Sequence, residues 1–235
     1  MDNILFIQND PEVPPGTYAD RLAETGIAFR IARPFAGEDI PRLDEAAAVI
    51  VLGGSMGVND TGVHPFLLKV KDYIRAALNV WKPFLGICLG GQLLADVAGA
   101  RVTSNLYEEI GVRRVNLSMK GLEDVLFRSV PAHFDTFQWH HDSFALPEGA
   151  IPLACSDACP IQAFRCGRNA YGLQFHPEVN ESIVEAWCRD FAGGPEPDLI
   201  LAGFRNVRAS YLNNSLRILD NFLEIAGIRM QLKLH

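Results

Sequence analysis

The chain has no run of apolar residues approaching the ~18 that a membrane-crossing helix requires, so no membrane association is expected. Runs of Lys or Arg are missing too. The 21 basic residues are outnumbered by 28 acidic ones, the net charge is −7 and the pI is near 5.4. Nothing in that pattern would neutralise a row of phosphates, which removes nucleic acid from the expected partners. Cysteine is sparse and odd in number. Cys88, Cys155, Cys159, Cys166 and Cys188 follow no disulfide-framework spacing, which fits a reducing compartment. The opening residues MDNILFIQND carry an acid at position 2 and only a short apolar run, unlike the charged start and long apolar core of a secretory signal. A cytoplasmic location is the expectation. Internal repeats and low-complexity stretches are also lacking.

What remains is the composition of an ordinary globular protein, with 49% hydrophobic and 21% charged residues over 235 positions, enough for a full core. Apolar β-branched runs alternate with helical patterns. ILFIQ (4–8), AFRIARPF (28–35), AAVIVLGG (47–54) and KPFLGIC (82–88) read as strands, and residues 18–26, 65–79 and 89–99 as helices. This order predicts an α/β fold with a mostly parallel sheet and helices on both faces. After residue 100 the strands shorten, in GVRRVNL, DTFQWHH, PIQAFRCG and YGLQFHPE, and predict an antiparallel extension of the same sheet. AGGPEPD (192–198) is the one Gly/Pro-rich break. It divides a domain over 1–192 from a helical extension over 193–235 packed on that domain, with a helical hairpin expected over 199–227.

Chemistry concentrates at FLGICLGGQLLA (84–95), where Gly86 and Gly90 bracket Cys88 between a strand and a helix. A nucleophile on a tight strand-to-helix turn needs neighbours without side chains so that the chain can pack around it. The helix start would also lower the thiol pKa. On this motif alone, a small buried hydrophobe at a strand end explains Cys88 equally well. A second motif decides between them. In YGLQFHPE, His176 and Glu178 are two residues apart on an extended segment and share a face, and Pro177 biases His176 toward extended backbone. Thiol, imidazole and orienting carboxylate form the arrangement for covalent acyl transfer. A third, VLGGSMG (51–57), lacks the spacing of a dinucleotide loop and reads better as part of an oxyanion hole, with Gly54 and Leu89 supplying N–H groups.

GICLGGQLLA, QFHPE, VLGGSMG and QWHHDSF, taken together, resemble the motifs of class I (triad) glutamine amidotransferases, most closely the glutamine-hydrolysing part of GMP synthase. The resemblance covers residues 4 to about 191. It implies a flavodoxin-like three-layer α/β/α fold and hydrolysis of the side-chain amide of L-glutamine to glutamate and ammonia through a γ-glutamyl thioester, without a cofactor or metal. It assigns Cys88 as nucleophile, His176 as base and Glu178 as orienting acid. Gln92 takes the glutamine-recognition position, one helical turn from Cys88 on the same face. His140, His141 and Asp142 fall in the substrate loop, where Trp139 and His141 replace the family's usual serine and glycine. Ser55 replaces a usual proline.

The family usually passes its ammonia to an ATP-dependent synthetase domain or subunit, and this sequence carries neither an S-G-G-x-D-S loop nor a P-loop. The leading expectation is an amidotransferase serving a separate synthetase. The alternatives are a γ-glutamyl peptidase with the same triad and a non-catalytic binding subunit, the intact triad weighing against the last. Cys155, Cys159 and Cys166 lack the paired spacing of a closed zinc site. His64 reads as a loop residue, and Trp81 and Trp187 as packing residues in the core or against the last helices.

Overall fold

The computed structural model describes residues 3–189 and 196–228. The expected division between residues 192 and 193, and most of the Gly/Pro-rich break, lie outside the described residues.

The chain begins as β1 (Asn3–Ile7), α1 (Gly16–Thr25), β2 (Ala28–Ala32), β3 (Ala48–Val51), α2 (Phe66–Asn79), β4 (Phe84–Ile87) and α3 (Leu89–Val97). It continues through β5 (Val102–Thr103), β6 (Glu109–Leu117), α4 (Met119–Glu123), β7 (His133–His140), β8 (Ser143–Phe144), β9 (Ile151–Cys155), β10 (Ala163–Cys166) and β11 (Ala170–Leu173). α5 (Glu181–Arg189) and α6 (Pro197–Ile225) complete it. Nine strands form one sheet in the order β2-β1-β3-β4-β11-β10-β9-β6-β7, and β5 pairs with β8 separately. The strands from β2 to β11 in that order are mutually parallel. Those from β10 to β7 pair antiparallel. The fold is α/β, with the expected extension built onto one edge of the parallel half.

Every residue of β3, β4 and β11 is buried, as parallel strands covered on both faces require. Alternate residues divide between two cores. Ile4 and Phe6 of β1 pack with Tyr18 and Leu22 of α1 and with Ile218, Leu219 and Phe222 of α6. Leu5 and Ile7 pack on the other face with Val70 and Ile74 of α2 and Leu93 of α3. α2 buries Leu67, Val70, Ile74 and Ala77, the spacing of one helical stripe. α1 stops at Gly26, whose left-handed φ of 72° lets its N–H reach back to Leu22 and Ala23.

Two expectations change. The C-terminal hairpin is instead a single helix, α6, of 29 residues and roughly 43 Å. Asn213-Asn214-Ser215 favours a turn in isolation, but Asn214 and Ser215 are buried against the domain and the helix continues through them. Trp81 is not a packing residue of the core: it is 58% exposed, in the turn after α2.

Glycine matters most where α3 meets the sheet. A Cβ on Gly90 would lie 2.1 Å from the Val51 carbonyl oxygen, a backbone atom with nowhere to move. Gly203, inside α6, has nothing within 4 Å of that position. Gly203→Ala should therefore gain ~0.5–1 kcal/mol from helix propensity, while Gly90→Ala should lose ~3 kcal/mol to overpacking. Denaturant midpoints of the two variants, moving in opposite directions from wild type, check both.

Candidate active site

Cys88 sits between β4 and α3 with φ 50° and ψ −110°, a backbone conformation that side chains other than glycine rarely adopt. Its N–H donates to the Leu173 carbonyl of β11 at 2.8 Å, and its own carbonyl accepts the Gln92 N–H at 2.9 Å. The bend is thus tied to the neighbouring strand on one side and to the first turn of α3 on the other. The bracketing glycines make this possible. A Cβ on Gly86 would stand 2.3 Å from the Gly90 carbonyl oxygen, and one on Gly91 2.6 Å from that of Leu173. With no side chains between them, the helix start lies directly on the strand ends. The sulfur has the Gln174 side-chain amide at 3.8 Å and the Trp139 carbonyl at 4.0 Å. Burial pushes the Cys159 and Cys166 thiols up to about 11 and raises that of Cys188, which leaves all three poor nucleophiles.

β11 ends at Leu173, earlier than the strand expected through Glu178, but the chain stays extended long enough for the His176 N–H to reach the Phe137 carbonyl at 2.8 Å. His176 Nδ1 then lies 2.8 Å from Glu178 Oε1, both residues almost fully buried. Burial, the largest single effect, pulls the imidazole toward its neutral form. The Glu178 carboxylate and the Cys88 sulfur together outweigh it and raise the ring from its ordinary 6.5 to about 10. Trp187 of α5 packs edge-on against this ring, centroids 4.9 Å apart, and its indole N–H is anchored on the Glu12 carbonyl at 2.7 Å. Trp187 thus packs, as expected, against the core and the last helices, and does so beside the site.

The glycine loop after β3 lies opposite. A Cβ on Gly53 would come within 3.0 Å of His176 Cε1, so the loop and the ring are in close approach. Ser55, where a proline is usual, donates both its N–H (3.0 Å) and its hydroxyl (2.6 Å) to one carboxylate oxygen of the buried Asp10. The other oxygen accepts the Glu12 N–H at 3.0 Å. Asp10 thereby holds the loop in the place of proline's covalent restraint. Among the described residues, the N–H groups of Gly54 and of Leu89, first in α3, donate to no protein acceptor.

A cleft of about 630 Å³ opens above these groups. Cys88, His176, Gly54, Gln92, His140, His141 and Asp142 all line it, with Trp139 and Trp187. Leu89 is fully buried beneath it, and Glu178 lies behind His176. Within the cleft the substrate-loop residues differ in character. Gln92 donates its side-chain amide to the Asp142 carbonyl at 3.1 Å. His140 is buried with both ring nitrogens facing acceptors, the same Asp142 carbonyl at 3.0 Å and Glu109 Oε2 at 3.3 Å. His141 is half-exposed and pairs with Glu108 at 2.9 Å. No Lys or Arg among the described residues lines the cleft, and no group of three or more His, Cys, Asp or Glu among them could hold a metal ion.

Several site residues escape sequence reasoning. Asp10, Glu109 and Trp187 stand in no motif that marks them, Gln174 opens QFHPE without any role of its own being legible there, and each depends on an approach of distant segments. Only Asp10 leaves a trace, as a carboxylate just after the first strand, where ligand-facing residues of open parallel sheets gather.

A sequence model of the glutamine amidotransferase class-I family matches residues 17–191. The glutamine-hydrolyzing GMP synthase subunit of Methanocaldococcus jannaschii is 37% identical over 159 residues, covering 65% of this chain and 78% of the relative. The glutamine amidotransferase-like protein YfeJ of Salmonella typhimurium is 29% identical over 184 residues, 77% of each chain. Among solved structures, a glutamine amidotransferase from Thermotoga maritima superposes with a TM-score of 0.85 at 31% identity, covering 94% of this chain and 98% of that one. With the family match spanning most of its length, the chain belongs to the class-I glutamine amidotransferases.

Proposed function

We propose that the protein hydrolyses the side-chain amide of L-glutamine through a thioester on Cys88, assisted by His176 and Glu178. The observation that carries this reading is the buried His176–Glu178 contact of 2.8 Å beside a strained cysteine at the base of a cleft. The reacting state is a thiolate–imidazolium pair, in which the sulfur is the nucleophile and the raised imidazole carries the proton. The Cys88 sulfur attacks the amide carbon, and the carbonyl oxygen takes the negative charge between the unpaired N–H groups of Gly54 and Leu89. His176 gives its proton to the departing nitrogen, ammonia leaves, and the γ-glutamyl group stays on sulfur. His176, now neutral, takes a proton from water as the water oxygen attacks the thioester. Glutamate departs and the thiolate–imidazolium pair is restored. Gln92, Asp142 and His141 face the amino-acid end of the substrate, and His140 braces that loop from beneath.

The relatives named as a glutamine-hydrolyzing subunit of GMP synthase support delivery of the ammonia to a separate, ATP-dependent synthetase. A second reading has its own observation. Ammonia needs almost no room to leave, whereas the cleft is large and walled by Trp139 and Trp187, so a γ-glutamyl peptidase acting on peptides or conjugates also fits. The same buried pair weighs against a non-catalytic binding subunit, since a buried ionic contact of this kind is costly to keep for packing alone.

Three outcomes are expected. A glutamine-like alkylating agent should label Cys88 and spare Cys159 and Cys166, as peptide mapping would show, and Cys88→Ala should abolish turnover. His176→Ala should cost ~10²–10⁴-fold in kcat, more than Glu178→Gln; the latter removes the carboxylate that helps raise the ring, so burial then pulls the His176 titration to lower pH, read by NMR. With glutamine as substrate, kcat/KM should exceed that for glutathione, in wild type and in Trp139→Ser. Glutathione ahead by about tenfold, ~1.4 kcal/mol in transition-state binding, would transfer the assignment to the peptidase.

A further inference from the structure

α6 lies beyond residues 17–191, the span of the family match, yet it reaches the back of the site. The Tyr211 hydroxyl lies 2.9 Å from the His176 carbonyl and 3.1 Å from that of Val179, and shares its one proton between them. One turn along the same face, the Ser215 hydroxyl donates to the Pro177 carbonyl. From the opposite side, Thr17 donates its N–H and hydroxyl to the Glu178 carbonyl at 2.8 and 3.0 Å. All four successive carbonyls from His176 to Val179 therefore have partners, and two residues of α6 serve three of the four. Tyr211 is 2% exposed and packs edge-on against Phe204, centroids 5.0 Å apart. Burial, aided by Glu178, raises its phenol well above the ordinary value and keeps it a donor.

We infer that Tyr211 and Ser215 are positioning residues for the reaction, and that α6 belongs to the catalytic apparatus as the clamp that holds the His176–Glu178 turn in register with Cys88. The inference rests on the function proposed above. Its physical basis is that buried carbonyls do not stay unpaired. Released from α6, the turn would rotate to find other donors, and the Glu178 carboxylate would leave the ring. The groups facing His176 are the Cys88 sulfur of the elbow, Glu178 on its own turn and the Trp187 indole of α5, so loss of the carboxylate contact is read directly in its titration.

Three variants of the full chain test this: Tyr211→Phe, Ser215→Ala and, as a control, Asn221→Ala. Asn221 ties α6 to the Leu126 and Arg128 carbonyls, away from the turn. Each is measured for thermal midpoint, for kcat and KM with glutamine, and for the NMR titration of His176. Tyr211→Phe should lower kcat at least about tenfold with KM within about twofold, and should move the His176 midpoint down by about half a pH unit or more. Asn221→Ala should lower the thermal midpoint while leaving kcat and the titration at their wild-type values. If Tyr211→Phe does not fold, Ser215→Ala decides on the same readouts. An unchanged kcat and titration in the turn-facing variants, or the same shift in Asn221→Ala, would reduce α6 to packing. A wild type that cleaves no γ-glutamyl amide would sink the proposed function instead, and the titration alone would then decide the clamp.

Discussion

The contact on which the rest of the structure depends is the approach of the first turn of α3 to the ends of β3, β4 and β11. Gly86, Gly90 and Gly91 let backbone meet backbone at distances where any Cβ would collide with a carbonyl oxygen. That thinness forces Cys88 into a strained bend, aims the helix start at its sulfur and brings the glycine loop after β3 alongside. A thicker contact would move the sulfur away from both the Gly54 and the Leu89 N–H groups. The strain is offset by the surrounding sheet, where every residue of β3, β4 and β11 is buried.

Electrostatics act on this frame in opposing directions. At His176, burial and attraction compete, and attraction wins because Glu178 and the Cys88 sulfur both act on a single ring. The same burial outweighs a backbone hydrogen bond at Cys159, acts alone at Cys166, and raises both thiols. The exposed ion pairs around α6, such as Arg128–Glu224 and Arg205–Glu185, lie in high dielectric and contribute little to stability by comparison.

The antiparallel half of the sheet gives the site its walls. β6 supplies Glu109, which accepts from Ser156 at 2.9 Å and from Gln162, and lies against His140 on β7. His140 and Gln92 converge on the carbonyl of Asp142, so the loop over the cleft is fixed from below by a buried polar network. Trp139, on the same strand as His140, stacks on Phe137 at 5.9 Å and stands 5.7 Å from Trp187, which turns two isolated aromatics into one side of the cleft.

Local sequence determined the alternation of strands and helices, the glycine-bracketed elbow at Cys88 and the His176–Glu178 spacing, because each is written in periodicity or in residues a few positions apart. The parallel core follows from unbroken apolar runs, and the antiparallel extension from the shorter strands after residue 100. The single helix α6 was not legible, since Asn213-Asn214-Ser215 carries turn chemistry that only burial against the domain overrides. Nor were Asp10, Glu109, Trp187 and Tyr211, whose roles arise where segments far apart in the chain meet. Even the meeting of Cys88 with His176 is tertiary: β11 enters the sheet beside β4 after more than eighty residues of intervening chain. Spacing along a chain reports what shares a turn or a strand face. Which strand lies next to which, and what is buried between them, is settled only when the whole sheet and its covering helices pack.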